Sequence, residues 1–184
     1  MTTNAQPRPP ADAAEVRRVK GAFLLLSLVV LVLDQWSKWL VELHLPHLTG
    51  QRVIPGLLDF THVKNTGVAF GLFASHGDLA RTLALSAVGL LALAVVVVYF
   101  WRTPGQDRLL LAALALVLGG AVGNLVDRVM SGAVTDFVDV YVGTHHWHTF
   151  NVADSAITVG LLLMAWDALR PRPGHREAGV AAEG

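Results

Sequence analysis

The sequence contains no cysteine. That absence excludes disulfides, a thiol nucleophile and Cys-ligated zinc. Charge is scarce as well: Asp, Glu, Lys and Arg make up 15% of the residues, and the formal net charge is zero. A sparse and balanced charge leaves no overall basic field for nucleic acid. No HExxH zinc motif occurs either. What the chain has in excess is apolar surface. Its hydrophobic fraction of 53% is more than a soluble core of this size can hide, and it points to a membrane protein. The length of 184 residues suits a single domain.

A helix that crosses a bilayer needs about 20 largely apolar residues. Four segments meet that need: Gly21 to about Leu43, unbroken as far as Leu33; about Leu79 to Trp101; Leu109 to about Val126; and about Val152 to Leu169. A cleaved signal peptide is the competing reading of the first, because Arg17, Arg18 and Lys20 precede it. No small-x-small cleavage site follows Leu33, where the sequence reads Asp34-Gln35-Trp36-Ser37-Lys38. The basic residues set the orientation. With alternating spans, Arg8, Arg17, Arg18, Lys20, Arg102, Arg108, Arg170, Arg172 and Arg176 all fall on one side. Both termini are therefore expected in the cytoplasm. The expected organisation is a disordered tail over 1–20, a four-span domain over 21–169 and a second disordered tail over 170–184, with Pro-, Gly- and Ala-rich ends. Arg52-Val53-Ile54 and Leu58 to Val63, punctuated by Gly and Pro, predict a small β element on the outer face.

Ionisable residues inside a span are costly and are functional candidates by default. Asp34 lies 13 residues past Gly21, hence roughly 20 Å from the inner surface at helical rise. Asn124 lies 15 residues past Leu109, and Asp154 lies 15 before Leu169, so each sits roughly 22 Å in. Three helices thus bring polar groups to one depth, in the outer third of a core about 30 Å thick. Each group also has a plain structural reading. Asp34 and Lys38 form an i,i+4 ion pair. Asn124, Asp127 and Arg128 can cap a helix end and snorkel. Asn151 and Asp154 fit an N-cap with an acid three residues on. Asp136 and Asp139 lie in a 134–140 stretch whose alternation suggests a strand or extended loop, with Asp139 out of phase with Asp136. His145, His146 and His148 could bind metal but lack the helical spacing of a ligand pair, which favours an interfacial loop.

Five short motifs occur in order: Asp34-Gln35-x-Ser37-Lys38, Asn65-x-Gly67-x-Ala69-Phe70, Gly123-Asn124-Leu125-x-Asp127-Arg128, Val134-x-Asp136-Phe137 and Phe150-Asn151-x-Ala153-Asp154-Ser155. Together they resemble bacterial lipoprotein signal peptidase, also called signal peptidase II, over about residues 22–168. One motif alone would be weak; five in order on four spans are specific. Val68 stands where Ala is common in that family. The resemblance implies an all-α membrane protein, a four-transmembrane-helix bundle with a small β-cradle on the outer face and a lid-like segment. It implies cleavage of a diacylglyceryl-modified prolipoprotein just before the lipidated cysteine, with Asp136 and Asp154 catalytic. Asp34, Lys38, Asn65, Gly67, Asn124, Asp127, Arg128 and Asn151 then shape or support the site. No cofactor and no metal are expected. The expected partners are the substrate and membrane lipids around a monomer in the bacterial inner membrane, with the site facing the outer leaflet. Two carboxylates about 3 Å apart share one proton, which suits activation of water. A Ser–Lys protease fits less well, because Ser37 and Lys38 are adjacent and face different directions on a helix. A small proton-coupled transporter or channel would need polar groups through the inner half as well, and a scaffold would leave the polar convergence without a reason.

Overall fold

The computed structural model describes residues 13–67 and 78–170. Residues 1–12, residues 68–77 with Ala69 and Phe70 of the second motif and part of the expected lid, and residues 171–184 lie outside the described residues. The elements run α1 (Ala13–His44), β1 (Gly50–Ile54), β2 (Leu58–Asn65), α2 (Asp78–Arg102), α3 (Arg108–Ser131), β3 (Val134–Val142), β4 (His145–His146) and α4 (Val152–Leu169). The four apolar segments all become helices, and α4 has the bounds expected from sequence.

Two boundaries differ. Helix α1 begins at Ala13, so residues 13–20, expected in the disordered tail, are helical. They are mostly good helix formers with Glu15 in the first turn, and tertiary contacts hold them. Lys20 is buried and donates to the Trp101 carbonyl at 2.6 Å. Helix α3 continues past Val126 to Ser131 and stops at Gly132, whose left-handed φ of 73° lets its N–H return to the Arg128 carbonyl. Asn124, Asp127 and Arg128 therefore lie within the helix rather than ending it.

Among the described residues, three helical stretches are long and apolar enough to cross a membrane: Thr82–Arg102, Arg108–Ser131 and Val152–Leu169. Helix α3 is the central one and packs against α1, α2 and α4. Adjacent glycines allow it to be approached from two sides. A Cβ at Gly119 would lie 2.6 Å from the Ser27 carbonyl of α1, and one at Gly120 would lie 2.4 Å from the Ala153 carbonyl of α4. Such small residues let membrane helices draw close without a hydrophobic drive between them. Phe100, Leu111, Leu114 and Ala115 fill the contact between α2 and α3.

The strands form one antiparallel sheet in the order β1-β2-β3-β4, at the end of the bundle where α1 and α3 finish and α4 starts. A register shift between Phe60 and Val63 sets Val63 opposite Asp136 and Asn65 opposite Val134. The Phe150 carbonyl accepts from the N–H groups of Phe137 and Val138 at 3.0 and 2.8 Å. That pair of bonds fastens β3 to the chain entering α4. The stretch left open as strand or loop is thus the sheet strand nearest the helices.

Candidate active site

Lys38 lies on α1 and is almost wholly buried. Its ammonium has three donors, and each has an acceptor: Asp34 Oδ2 at 2.7 Å, Asp127 Oδ2 at 2.8 Å and Asn124 Oδ1 at 3.1 Å. The i,i+4 pair expected from sequence is present, but Lys38 has Asp127 as a second carboxylate partner. Asp34 is fully buried, and its other oxygen accepts the Ala153 N–H at 2.9 Å. That N–H belongs to the first turn of α4, where a helix supplies no acceptor of its own. Asp127 also accepts from Gln35 at 2.9 Å and from the Thr135 N–H at 3.3 Å, tying α3 to the start of β3.

The network continues to the other two carboxylates. Asn124 Nδ2 donates to Asp154 Oδ1 at 2.8 Å. Asn151 Nδ2 donates to Asp136 Oδ1 at 2.8 Å and lies 3.2 Å from Asn124 Oδ1. Asn151 Oδ1 accepts the Asp154 N–H at 2.9 Å, while the Asn151 N–H donates to Asp154 Oδ2 at 3.2 Å. This is a capping box. The capping reading of Asn151 and Asp154 therefore holds, and the same two residues also contact Asp136 and Asn124. Asn65 Nδ2 donates to Asp136 Oδ2 at 2.9 Å, and Asn65 Oδ1 accepts the Gly67 N–H at 2.8 Å. Gly67 has a φ of 79°, and a Cβ there would meet Leu85 Cδ1 at 2.1 Å.

Asp136 thus has one amide donor on each oxygen. Burial is the main cause that pushes its carboxyl up from 3.8 to about 6; the Asn65 hydrogen bond opposes this, the Asp154 charge adds to it, and Asn151 and Lys38 oppose it. Asp136 and Asp154 line one groove of about 530 Å³, together with Asn65, Trp147, Phe150 and Val159. Its lining combines titratable and amide groups with the apolar side chains of Trp147, Phe150 and Val159. The arrangement can hold a water beside two carboxylates and an extended or lipid-bearing ligand along these apolar side chains.

The family-model description Signal peptidase (SPase) II matches residues 26–170. The chain belongs to the signal peptidase II family. It is 43% identical over 147 residues to the lipoprotein signal peptidase of Solibacter usitatus, covering 80% of this chain and 90% of that protein. It is 45% identical over 148 residues to the one from Geobacter metallireducens, with 80% and 90% covered. A solved bacterial membrane enzyme superposes with a TM-score of 0.69 at 30% identity, covering 83% of this chain and 95% of that one. In this signal peptidase II, the matched stretch contains the whole polar network from Asp34 to Asp154.

Some expected residues lie apart. Among the described residues, the Arg128 guanidinium donates to the Asn124 carbonyl of its own helix, 3.3 Å away. Asp139 pairs with His146 Nδ1 at 2.9 Å and not with the other acids of the network. The hydroxyl of Ser37 donates to the Asp34 carbonyl, and Lys38 is fully engaged, so no Ser–Lys couple is formed. Other residues were missed by sequence reasoning. Gln35 bridges Asp34, Asp127 and the Gly123 carbonyl. Thr135 donates to Glu42 at 2.6 Å and accepts from Lys64 at 2.8 Å, which pins the residue before Asp136. Neutral amides and hydroxyls give no burial penalty large enough to stand out in a sequence, and Glu42 and Lys64 read as ordinary interfacial charges.

Proposed function

We propose that Asp136 and Asp154 are the catalytic pair of an aspartic endopeptidase that cleaves diacylglyceryl-modified prolipoproteins just before the lipidated cysteine. One observation carries this reading: Asn151 holds both carboxylates at the wall of a single groove. Burial and the neighbouring charge favour one proton on the pair, with Asp136 the group that retains it. The ionised carboxylate takes a proton from water as the water oxygen attacks the scissile carbonyl carbon. The protonated carboxyl gives its proton to the carbonyl oxygen, forming a neutral diol. As the diol collapses, the C–N bond breaks, the leaving nitrogen takes the proton gathered from water, and one diol hydroxyl returns its proton to the other carboxylate as the C=O re-forms. The Asn65, Asn124 and Asn151 amides stay fixed throughout and hold the oxygens in place.

Helix α1 crosses the membrane together with the other three. Its 32 residues span about 48 Å at helical rise, and its intramembrane charges are neutralised against each other and against α3. Both termini are cytoplasmic and the groove opens towards the outer leaflet of the inner membrane, where a monomer meets its substrate. The linked carboxylates and amides gather at one end of the bundle, and Lys20, Thr103 and Asp167 are buried near the other; Phe100, Leu111 and Leu114 form an apolar cluster on α2 and α3. That distribution supports a protease over a proton relay.

The test is cleavage of a purified lipidated substrate by single variants. Asp136→Asn and Asp154→Asn are each expected to lose a factor of about 10²–10⁴, the usual worth of acid–base groups, while remaining folded. Asp139→Asn keeps most of the activity. A stable Asp139→Asn as inactive as Asp136→Asn, or an Asp154→Asn that cleaves normally, overturns the assignment.

A further inference from the structure

A second cavity is lined by none of the residues of the polar network. Helices α1 and α2 pack more closely on α3 than on each other, and Lys20 of α1 reaches the Trp101 carbonyl of α2. The cleft between them has a volume of about 200 Å³. Leu24, Leu28 and Leu31 line one wall, Val97 and Phe100 the other, and Val122 lies on the floor. Ser27 also lines it, but its hydroxyl donates to the Ala115 carbonyl at 2.9 Å, so the cleft presents no unsatisfied hydroxyl. A dry apolar cleft in a membrane helix bundle suits hydrocarbon and offers nothing to hold water.

The cleft ends at a basic rim. Lys20 closes it, donating to the Trp101 carbonyl and standing 5.4 Å from the Trp101 ring centre. Val16 packs beside Gly105 in the link between α2 and α3, so the first turns of α1 lie against the start of α3. Helical spacing carries the lining stripes into this rim. On α1, Arg17 is seven residues before Leu24 and fourteen before Leu31. On α3, Arg108 is fourteen residues before Val122. On α2, Arg102 follows Trp101 directly. The stripes of α1 and α3 therefore lead to Arg17 and Arg108, and Arg102 stands one residue past the lining Trp101 at the end of α2. All three are exposed and have no ion-pair partner among the described residues.

We propose that this cleft binds an anionic glycerophospholipid, with an acyl chain between α1 and α2 and the phosphate held by Arg17, Arg102 and Arg108. Charge complementarity selects the occupant. A zwitterionic lipid offers the same chain, but its own cation opposes three unpaired guanidinium groups. Guanidinium forks bind phosphate oxygens in pairs. The site is separate from the groove of Asp136 and Asp154, and lipid binding stands or falls independently of the cleavage mechanism.

The experiment counts bound lipid by native mass spectrometry on delipidated protein in detergent. The added lipids are phosphatidylglycerol and phosphatidylcholine with identical oleoyl chains. The wild type is expected to retain one phosphatidylglycerol in preference to phosphatidylcholine. The triple variant Arg17→Gln, Arg102→Gln, Arg108→Gln loses about fivefold in affinity per arginine, on the order of a hundredfold in all. Leu28→Trp, a half-exposed position on the wall, fills the cleft and loses the bound lipid with all the arginines in place. Equal retention of the two lipids by the wild type overturns the proposal. So does undiminished phosphatidylglycerol binding by either the triple variant or Leu28→Trp.

Discussion

Lys38 directs every ammonium hydrogen to a neighbour on its own helix or on α3. Its removal therefore harms more than the loss of one ion pair suggests. Lys38→Ala leaves Asp34 and Asp127 buried without a cation, at a cost of about 3–5 kcal/mol. Asp34→Asn is milder, about 1–3 kcal/mol, because Lys38 keeps Asp127 and the new amide oxygen still accepts the Ala153 N–H. Melting temperatures in detergent should rank the wild type first, Asp34→Asn second and Lys38→Ala last; the reverse order of the two variants would disprove the shared-cation picture. Asp136 makes a different forecast. Its carboxyl is raised from 3.8 to about 6, so its contribution to stability is fully present below pH 3.8 and is lost as pH rises through about 6. Relative to Asp136→Asn, the wild type should lose up to about 3 kcal/mol of stability between pH 4 and pH 7, whatever constant offset separates the two proteins. A parallel pH dependence would remove the burial argument. The hydrogen bond from Asn65 favours the ionised form, so Asn65→Ala should move the alkaline limb of kcat/KM to higher pH. A limb that stays in place or moves down would take Asn65 out of the proton's surroundings.

At the level of elements, α3 depends on small residues where it meets its neighbours. A Cβ at Gly123 would lie 2.4 Å from Asp34 Oδ2. Asp34 cannot give way without releasing Lys38 or the first turn of α4. Gly123→Ala should therefore cost about 1–3 kcal/mol as overpacking and lower cleavage with it. An unchanged melting temperature and rate would show that the contact relaxes freely. The glycine pattern was present in the sequence, but nothing there said which helix would press on which glycine. The helices themselves were legible, because about 20 apolar residues in a row permit little else. The ends were less so. Residues 13–20 are polar enough to pass for a tail, and contacts made across the fold, such as Lys20 with the end of α2 and Val16 beside Gly105, hold them in register. The meeting of Asp34, Asn124 and Asp154 was also legible, since helical rise fixes depth from sequence alone. Asp136 was not legible on those grounds. It sits on a strand, and its distance from Asp154 is set by the sheet register and the Phe150 carbonyl. Motif resemblance supplied what periodicity could not.

For the molecule as a whole, Arg17, Arg18, Lys20, Arg102, Arg108 and Arg170 all stand at helix ends away from the sheet. A reporter fused after Gly174 should be active only in a cytoplasmic assay; activity on the opposite side would overturn the N-in, C-in arrangement. The bond from Asp34 to the Ala153 N–H joins residues 119 positions apart. During synthesis the first helix emerges long before the last. On the four-span arrangement proposed above, Asp34 waits in the bilayer for most of the chain's translation without its final partner. Its neighbour Lys38 is already on the same helix at i,i+4, so the first segment enters as a neutral unit and needs no help from downstream. Asp127 and Ala153 then join one after the other as their helices arrive. A ribosome stalled before α4 would leave a segment that is tolerated by the membrane yet has neither Asn151 nor Asp154, and the peptidase can begin work only when its own translation is all but finished.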